Sequence, residues 1–438
     1  MSGTVTLKPR RRVVMPLRRS VGAPLSRQSG DLLPRLFGWT VLVSTLPLFA
    51  QTFYYLNELP PPYLLSKAWP IITLPLTLYA VTRMHLPAKH GFMVLFAYTI
   101  GFTPLISMVQ LGNGFLDAIT TTVKVWPFTY YFGLSAMLYW LAPPDDRLRR
   151  ACLALGLATF VLMVLLWFTI PARWYTSDPA EGKLLLYENE RGYRIYMPLF
   201  FGFLAMFYLV RRFMRSPSVW PALGLVMAFV LLLSIYKQRT SIAAAVLVCG
   251  LGALSSLPRV PRRLVLGLGL LVLPVAVAAL FWKLGADGGE AFGSSLSVRN
   301  TSFALATGFL GDEAWRWILG VGATTRFGAV TLADIFGNNQ FYIADLGWVG
   351  VVFEYGLVGA ALIAAVYVWG YIVTLRAAAR TRTPFSEALS DYILFMIISS
   401  SVYSLVFAPG ELGVIMAIAV YLDHARERRM PAPRGLAP

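Results

Sequence analysis

The sequence predicts an all-α fold: a polytopic membrane bundle of about twelve transmembrane helices. Three observations predict it. The 438 residues are 57% hydrophobic and only 13% charged, with a mean hydropathy of +0.63, whereas a soluble chain of this length needs far more polar surface. Apolar runs long enough to cross about 30 Å of hydrocarbon recur along most of the chain. The turns between them alternate between short basic segments and longer segments rich in acids. The net charge of +17 is therefore read as an orientation signal, not as a nucleic-acid surface.

Residues 1–35 are basic and rich in Pro and Ser. They contain no short apolar core with a cleavage site, so they read as a disordered cytoplasmic tail lying on anionic headgroups. The membrane domain covers 36–422, with expected spans near 36–56, 64–82, 91–110, 121–142, 151–170, 197–210, 219–236, 240–257, 264–283, 346–373, 391–408 and 411–422. A second short tail, 423–438, follows. The turns carrying Arg83 and Lys89, Arg147 to Arg150, Arg211 to Arg215, Arg259 to Arg263, Arg376 to Arg382, and Arg426 to Arg429 all fall on one side. With both tails, that side holds most of the 38 Lys and Arg residues. Twelve spans with both ends cytoplasmic satisfy the positive-inside rule throughout. The other side carries two real loops, 171–196 and 284–345. The second, between spans nine and ten, is too long for a connector, and its Phe303, Trp315, Trp317 and Phe327 predict that it folds over the bundle. No internal repeat relates the two halves. Cys152 and Cys249 sit in separate apolar runs and read as small packing residues.

Ionisable groups at or inside a membrane are costly, which makes each a functional candidate. Tyr236-Lys237-Gln238-Arg239-Thr240 sits at an outer turn, where two cations within three residues suit an anionic headgroup or diphosphate. Snorkelling of Lys237 and Arg239 to headgroups is the plainer alternative. Asp117 and Lys124 lie seven residues apart, so on one helix they would share a face as a buried ion pair. Arg191 and Arg194, one helical turn apart before span six, would both face the bundle centre, or else be solvated loop charges. Asp345 stands nine residues before Glu354 at the opening of span ten, where it is either a functional carboxylate or an N-cap. Gly347, Gly350, Gly356 and Gly359 read as small residues that permit close helix contact. All three histidines, His85, His90 and His424, fall on the cytoplasmic side, and no DxD or Walker-type phosphate motif is present. The outer face therefore offers no His base or His metal ligand, and no metal or cofactor is expected.

Arg239-Thr240 opening an Ala- and Leu-rich span, Arg299 early in the large outer loop, the Gly320-Val-Gly322 turn, and Glu354-Tyr-Gly356-Leu-Val-Gly359 in span ten occur in this order over residues 190–410. In these features the chain resembles the O-antigen polymerase and ligase superfamily, the Wzy-type polymerases and WaaL-type ligases of the bacterial envelope. Ligases of that superfamily carry a histidine nine residues before the glutamate; Asp345 stands there in this sequence, as in the exopolysaccharide polymerase branch. The resemblance implies a multi-pass enzyme of the bacterial inner membrane that polymerises repeats carried on undecaprenyl diphosphate, without a metal. Arg239 and Arg299 would stabilise the departing lipid diphosphate and Asp345 would act as base or orient the hydroxyl, with Lys237, Arg194, Arg191, Tyr236 and Lys124 binding substrate. The partners implied are the lipid-linked oligosaccharide, membrane lipids and other polysaccharide assembly and export proteins. The competing expectations are a ligase that transfers glycan to lipid A core, and a 12-span lipid-oligosaccharide flippase or transporter. Missing halves and the asymmetric outer loop count against a transporter.

Overall fold

A computed structural model describes residues 32–177, 183–189, 191–258, 260–261, 294–322, 336–337, 341 and 343–429. The expected span at 264–283 and both tails up to residue 31 and from 430 onward lie outside the described residues, as does Phe327. The described chain is almost entirely helical. In order the helices are α1 (Leu32–Phe49), α2 (Pro60–Ile72), α3 (Leu74–Arg83), α4 (Lys89–Phe96), α5 (Thr103–Leu111), α6 (Phe115–Thr120), α7 (Tyr130–Leu141), α8 (Asp145–Thr169), α9 (Phe200–Arg215), α10 (Val219–Leu231), α11 (Arg239–Ser256), α12 (Ser294–Leu310), α13 (Ala314–Leu319), α14 (Trp348–Thr381), α15 (Pro384–Ser399) and α16 (Pro409–Arg429). A π-helical turn over Ala97–Phe102 joins α4 to α5, another over Leu232–Tyr236 extends α10, and a 3-10 stretch, Thr121–Thr129, leads into α7.

Local sequence accounts for the helix ends. Pro143-Pro144 stops the preceding segment, and Asp145 and Asp146 in the first turn of α8 complement the positive end of the helix dipole. Thr383 and Ser386 form a reciprocal capping box at the start of α15, with Ser386 N donating to Thr383 Oγ1 at 3.1 Å.

Six helical segments are long and apolar enough to cross a membrane: Pro60–Arg83, Lys89–Leu111, Asp145–Thr169, Val219–Tyr236, Arg239–Ser256 and Trp348–Thr381. Other expected spans are shorter as helices, with 12 residues in α7 and 16 each in α9 and α15. Burial explains the difference. Helices α7 and α16 pack on each other in the centre, and every residue from Leu412 to Leu422 is buried. A helix enclosed by protein needs neither the full length nor the full apolarity of one that faces lipid. Gly413 permits the approach, since a Cβ there would stand 2.8 Å from Tyr131 N. The outer helices instead display large side chains, among them Leu64, Val109, Leu157, Phe168 and Trp220. Exposed apolar area on that scale needs a lipid cover, so this is a helical membrane protein.

The two ends of the bundle differ. One end gathers the basic turns: Arg211 forks onto Asp391 with two bonds of 2.6 Å, Arg215 donates to the Arg382 carbonyl at 2.5 Å, and Arg380 reaches Asp423 at 2.7 Å. The opposite end carries a feature the sequence reading did not anticipate, an antiparallel hairpin of β1 (Leu185–Glu188) and β2 (Gly192–Ile195) with Leu186 opposite Arg194. Gly192, at φ 66°, provides the left-handed turn. Arg191 and Arg194 are therefore residues of a hairpin, not of a helical turn.

Helix α14 is interrupted. At Gly356 the backbone takes φ 63° and ψ −177°, and the chain resumes as helix beyond it. The Gly320-Val-Gly322 turn fills the break: Val321 N donates to the Phe353 carbonyl at 2.8 Å and Gly322 N to the Glu354 carbonyl at 3.1 Å. Any Cβ at Gly356 would collide with the Ile318 carbonyl, and Gly347 is also left-handed at φ 54°. These two glycines are thus needed for backbone conformation as well as for close contact, which corrects the simpler reading.

Candidate functional site

The hairpin end brings together charged residues from three separate parts of the chain. Asp345 lies on a single 3-10 turn, Ile343–Leu346, just before α14. It sits in the field of Arg299 from α12 and of Arg194 and Arg191 from the hairpin. Burial pushes the Asp345 carboxyl above its ordinary value, and the three guanidiniums, Arg299 first, pull against that rise. Arg194 is 8% exposed and pairs with Glu188. Its burial lowers the guanidinium pKa, and Glu188 offsets part of that effect. Arg191 Nε stands 3.4 Å from Glu188 Oε2 without an aligned hydrogen bond. The Nε groups of Arg191, Arg194 and Arg299 are all buried and lack an acceptor. Buried donors without partners are costly. Three on converging arginines leave the site short of an anion.

Tyrosines line the space around this cluster. Tyr196 stacks on Tyr236 with centroids 5.7 Å apart, and both lie near Arg194. Tyr403, after α15, feels both Asp345 and Glu411, the acid in the first turn of α16. Glu411 Oε2 accepts a hydrogen bond from Tyr392 at 2.7 Å, and Glu411 keeps part of its surface accessible deep among the helices.

The other sequence candidates take different places. Lys237, at φ 55°, donates to the carbonyls of Arg191 and Tyr193, both at 2.9 Å, and so fastens the hairpin to the end of α10. Tyr236 is buried and its hydroxyl donates to Gln238. Arg239 is exposed at the first position of α11 and is not among the charges acting on Asp345. Lys124 is buried but its partner is Glu354 of α14, not Asp117. The 3-10 winding of 121–129 explains the correction: at about three residues per turn, a seven-residue spacing no longer shares one face. The pair lies beside the Gly356 break, with the Lys124 ammonium 5.7 Å from the Tyr355 ring centre and 5.2 Å from that of Phe407.

Two residues escaped the sequence reading. Lys67 and Glu411 both stand inside runs read as spans, and the rule that singles out ionisable groups in apolar segments applies equally to them. Among the described residues, no three of His, Cys, Asp and Glu come together as a metal-binding group. An apolar cleft of about 500 Å³ opens between α8, α9 and α10, lined by Leu157, Phe160, Val164, Met206, Met227 and Leu231. Trp167, two residues beyond Leu165 of its lining, has its ring 5.6 Å from the Lys237 ammonium.

No protein-family model matches the sequence, and a search of curated proteins finds no relative.

Proposed function

We propose that this protein is a glycosyltransferase of the bacterial inner membrane, with twelve spans and a periplasmic active site, that polymerises oligosaccharide repeats carried on undecaprenyl diphosphate. The observation that carries the reading is the convergence of Arg299, Arg194 and Arg191 on Asp345, with three buried Nε donors lacking an acceptor. Arginine suits a diphosphate because its planar fork donates two parallel bonds and stays charged.

In this mechanism the donor's diphosphate rests on the three arginines, and its prenyl tail enters the apolar cleft between α8, α9 and α10. The acceptor's sugar hydroxyl attacks the anomeric carbon. The new glycosidic C–O bond forms as the bond to the diphosphate breaks, and the electron pair leaves with the lipid diphosphate. Asp345 takes the hydroxyl proton; its raised pKa brings it closer to the operating pH that base catalysis favours. The guanidiniums stabilise the charge that builds on the leaving group. Arg239, exposed at the rim, is available for first contact with an arriving headgroup.

The test is the lipid-linked material in cells that lack the protein. Single repeats should accumulate; long chains stranded on the lipid would mean a ligase, and repeats trapped on the cytoplasmic face a flippase. In complemented cells at matched abundance, Arg299→Ala and Arg194→Ala should each reduce polymer synthesis about a hundred- to thousandfold. Asp345→Asn should cost roughly 10²–10⁴-fold. Normal polymer from both arginine variants would remove them from the mechanism.

A further inference from the structure

Glu411 is a second carboxylate near Asp345, and the chemistry proposed above leaves it unused. It stands in the first turn of α16 and accepts a hydrogen bond from Tyr392 at 2.7 Å. Among the described residues no lysine or arginine pairs with it. Its second oxygen accepts no hydrogen bond there and is not sealed from open space. Tyr55, Tyr196 and Tyr403 lie around it. All four side chains are enclosed by protein, yet each keeps part of its surface accessible. That surface faces an internal space, not the outside of the bundle. An ionised carboxylate only accepts hydrogen bonds, and one held among aromatic rings without a cation is costly. A neutral ligand rich in hydroxyls, laid against the ring faces, would satisfy it, and an anion would be repelled. Aromatic walls with a few placed polar groups are the usual make-up of a small-molecule site.

The frame is built before any ligand arrives. Gln51 Oε1 accepts the Gly410 N–H at 2.7 Å and so holds the chain entering Glu411. The Tyr55 hydroxyl donates to the Phe407 carbonyl at 2.5 Å, and Tyr196 N donates to the Leu184 carbonyl at 2.7 Å. Ser404 N donates to the Ala344 carbonyl at 2.8 Å, which ties the backbone beside Tyr403 to the backbone beside Asp345.

The direction of attack sets what this space holds. With the donor's diphosphate on Arg299, Arg194 and Arg191, the acceptor's hydroxyl must approach the anomeric carbon from the opposite side. Asp345 acts on Tyr403, whereas no guanidinium among the described residues acts on Tyr403 or Glu411. The space around Glu411 therefore meets Asp345 on the side away from the arginines. Tyr196 stands at the junction, its ring centre 6.0 Å from Arg194 Cζ. We infer that Glu411, Tyr55, Tyr196 and Tyr403 form a sugar subsite for the terminal sugar of the acceptor. Glu411 accepts bonds from the sugar's hydroxyls, and the tyrosine rings cover its faces. The identity of the ligand rests on the polymerase reading.

The experiment is saturation-transfer NMR on the full chain in a sugar-free detergent, dimethyldodecylamine oxide. The probe is the oligosaccharide mixture released by partial acid hydrolysis from the surface polysaccharide of the cells that make this protein. Signal should pass from the wild-type protein to sugar protons. Glu411→Gln keeps the size and loses the charge, and should weaken binding about ten- to a hundredfold. Tyr403→Phe should retain binding and Tyr403→Ala should lose it. Each variant should still bind farnesyl diphosphate as the wild type does, which shows that the arginine end is folded. If Glu411→Gln loses both ligands it is misfolded, and the two Tyr403 variants decide. No transfer in the wild type, or equal binding by the wild type and the folded Glu411→Gln and Tyr403→Ala variants, would overturn the subsite. The deletion strain judges the reading beneath it. Sugar bound through Glu411 with no accumulated single repeats would leave the subsite standing and defeat the polymerase; accumulated repeats with no bound sugar would do the reverse.

Discussion

Asp345 is under two opposed influences: burial favours its neutral form, and Arg299, Arg194 and Arg191 favour its anion. Burial wins. A base works deprotonated, so activity should fall as pH drops through a pKa above the usual aspartate range of about 3.9, and should level off at higher pH. Replacing Arg191 with Gln removes one downward pull, so the acid limb of the pH–rate profile should move to higher pH. A limb unmoved in Arg191→Gln would separate Asp345 from the arginine cluster. Asp345, Arg194 and Arg191 are legible in the sequence for one physical reason: a charge at the mouth of an apolar run is costly and stands out; Arg299, within the long loop, is singled out only by the resemblance. Lys67 and Glu411 are legible by the same rule. Partnership is not, because Lys124 meets Glu354 across 230 positions, and a neighbouring acid such as Asp117 looks as good on paper.

At the scale of elements, α14 shows why span prediction and backbone conformation are separate matters. Residues 346–373 read as one apolar span, and hydropathy carries no sign of a break. The break becomes intelligible only with the Gly320-Val-Gly322 turn docked against it. Gly356→Ala should therefore be severe. A left-handed alanine costs roughly 1–2 kcal/mol, and its Cβ would displace the Ile318 carbonyl, so the variant should lose thermal stability in detergent. Gly308→Ala, where a Cβ meets open space, is the control and should melt normally. Beside the break, Lys124→Met leaves Glu354 charged in a buried place, at about 3–5 kcal/mol. The double variant with Glu354→Met should recover much of that loss, and a double variant no more stable than Lys124→Met would mean that the pair is not the main stabilising contact of either residue.

For the whole molecule, the alternation of basic and acidic turns is the part of the architecture that the sequence displays most openly, and contacts such as Arg215 with Arg382 collect the basic turns at one end. The central helices α7 and α16 were harder to bound, since enclosure by protein relaxes the length and apolarity on which span recognition depends. Orientation is testable by single cysteines on exposed positions. With Cys152 and Cys249 replaced, Asp312→Cys should react with an impermeant reagent in intact spheroplasts and Ala379→Cys only after lysis. The reverse pattern would turn the protein over and place the arginine site in the cytoplasm. The interrupted helix has a last consequence, for biogenesis. While the chain is being inserted, a break at Gly356 would leave the carbonyls of Phe353 and Glu354 facing hydrocarbon, so this segment should enter the bilayer as an unbroken helix. It can open only once Val321 and Gly322 supply their N–H groups. Maturation would then be a two-step event, with lateral insertion first and then a docking of the 318–322 segment that fixes the interrupted form of the helix.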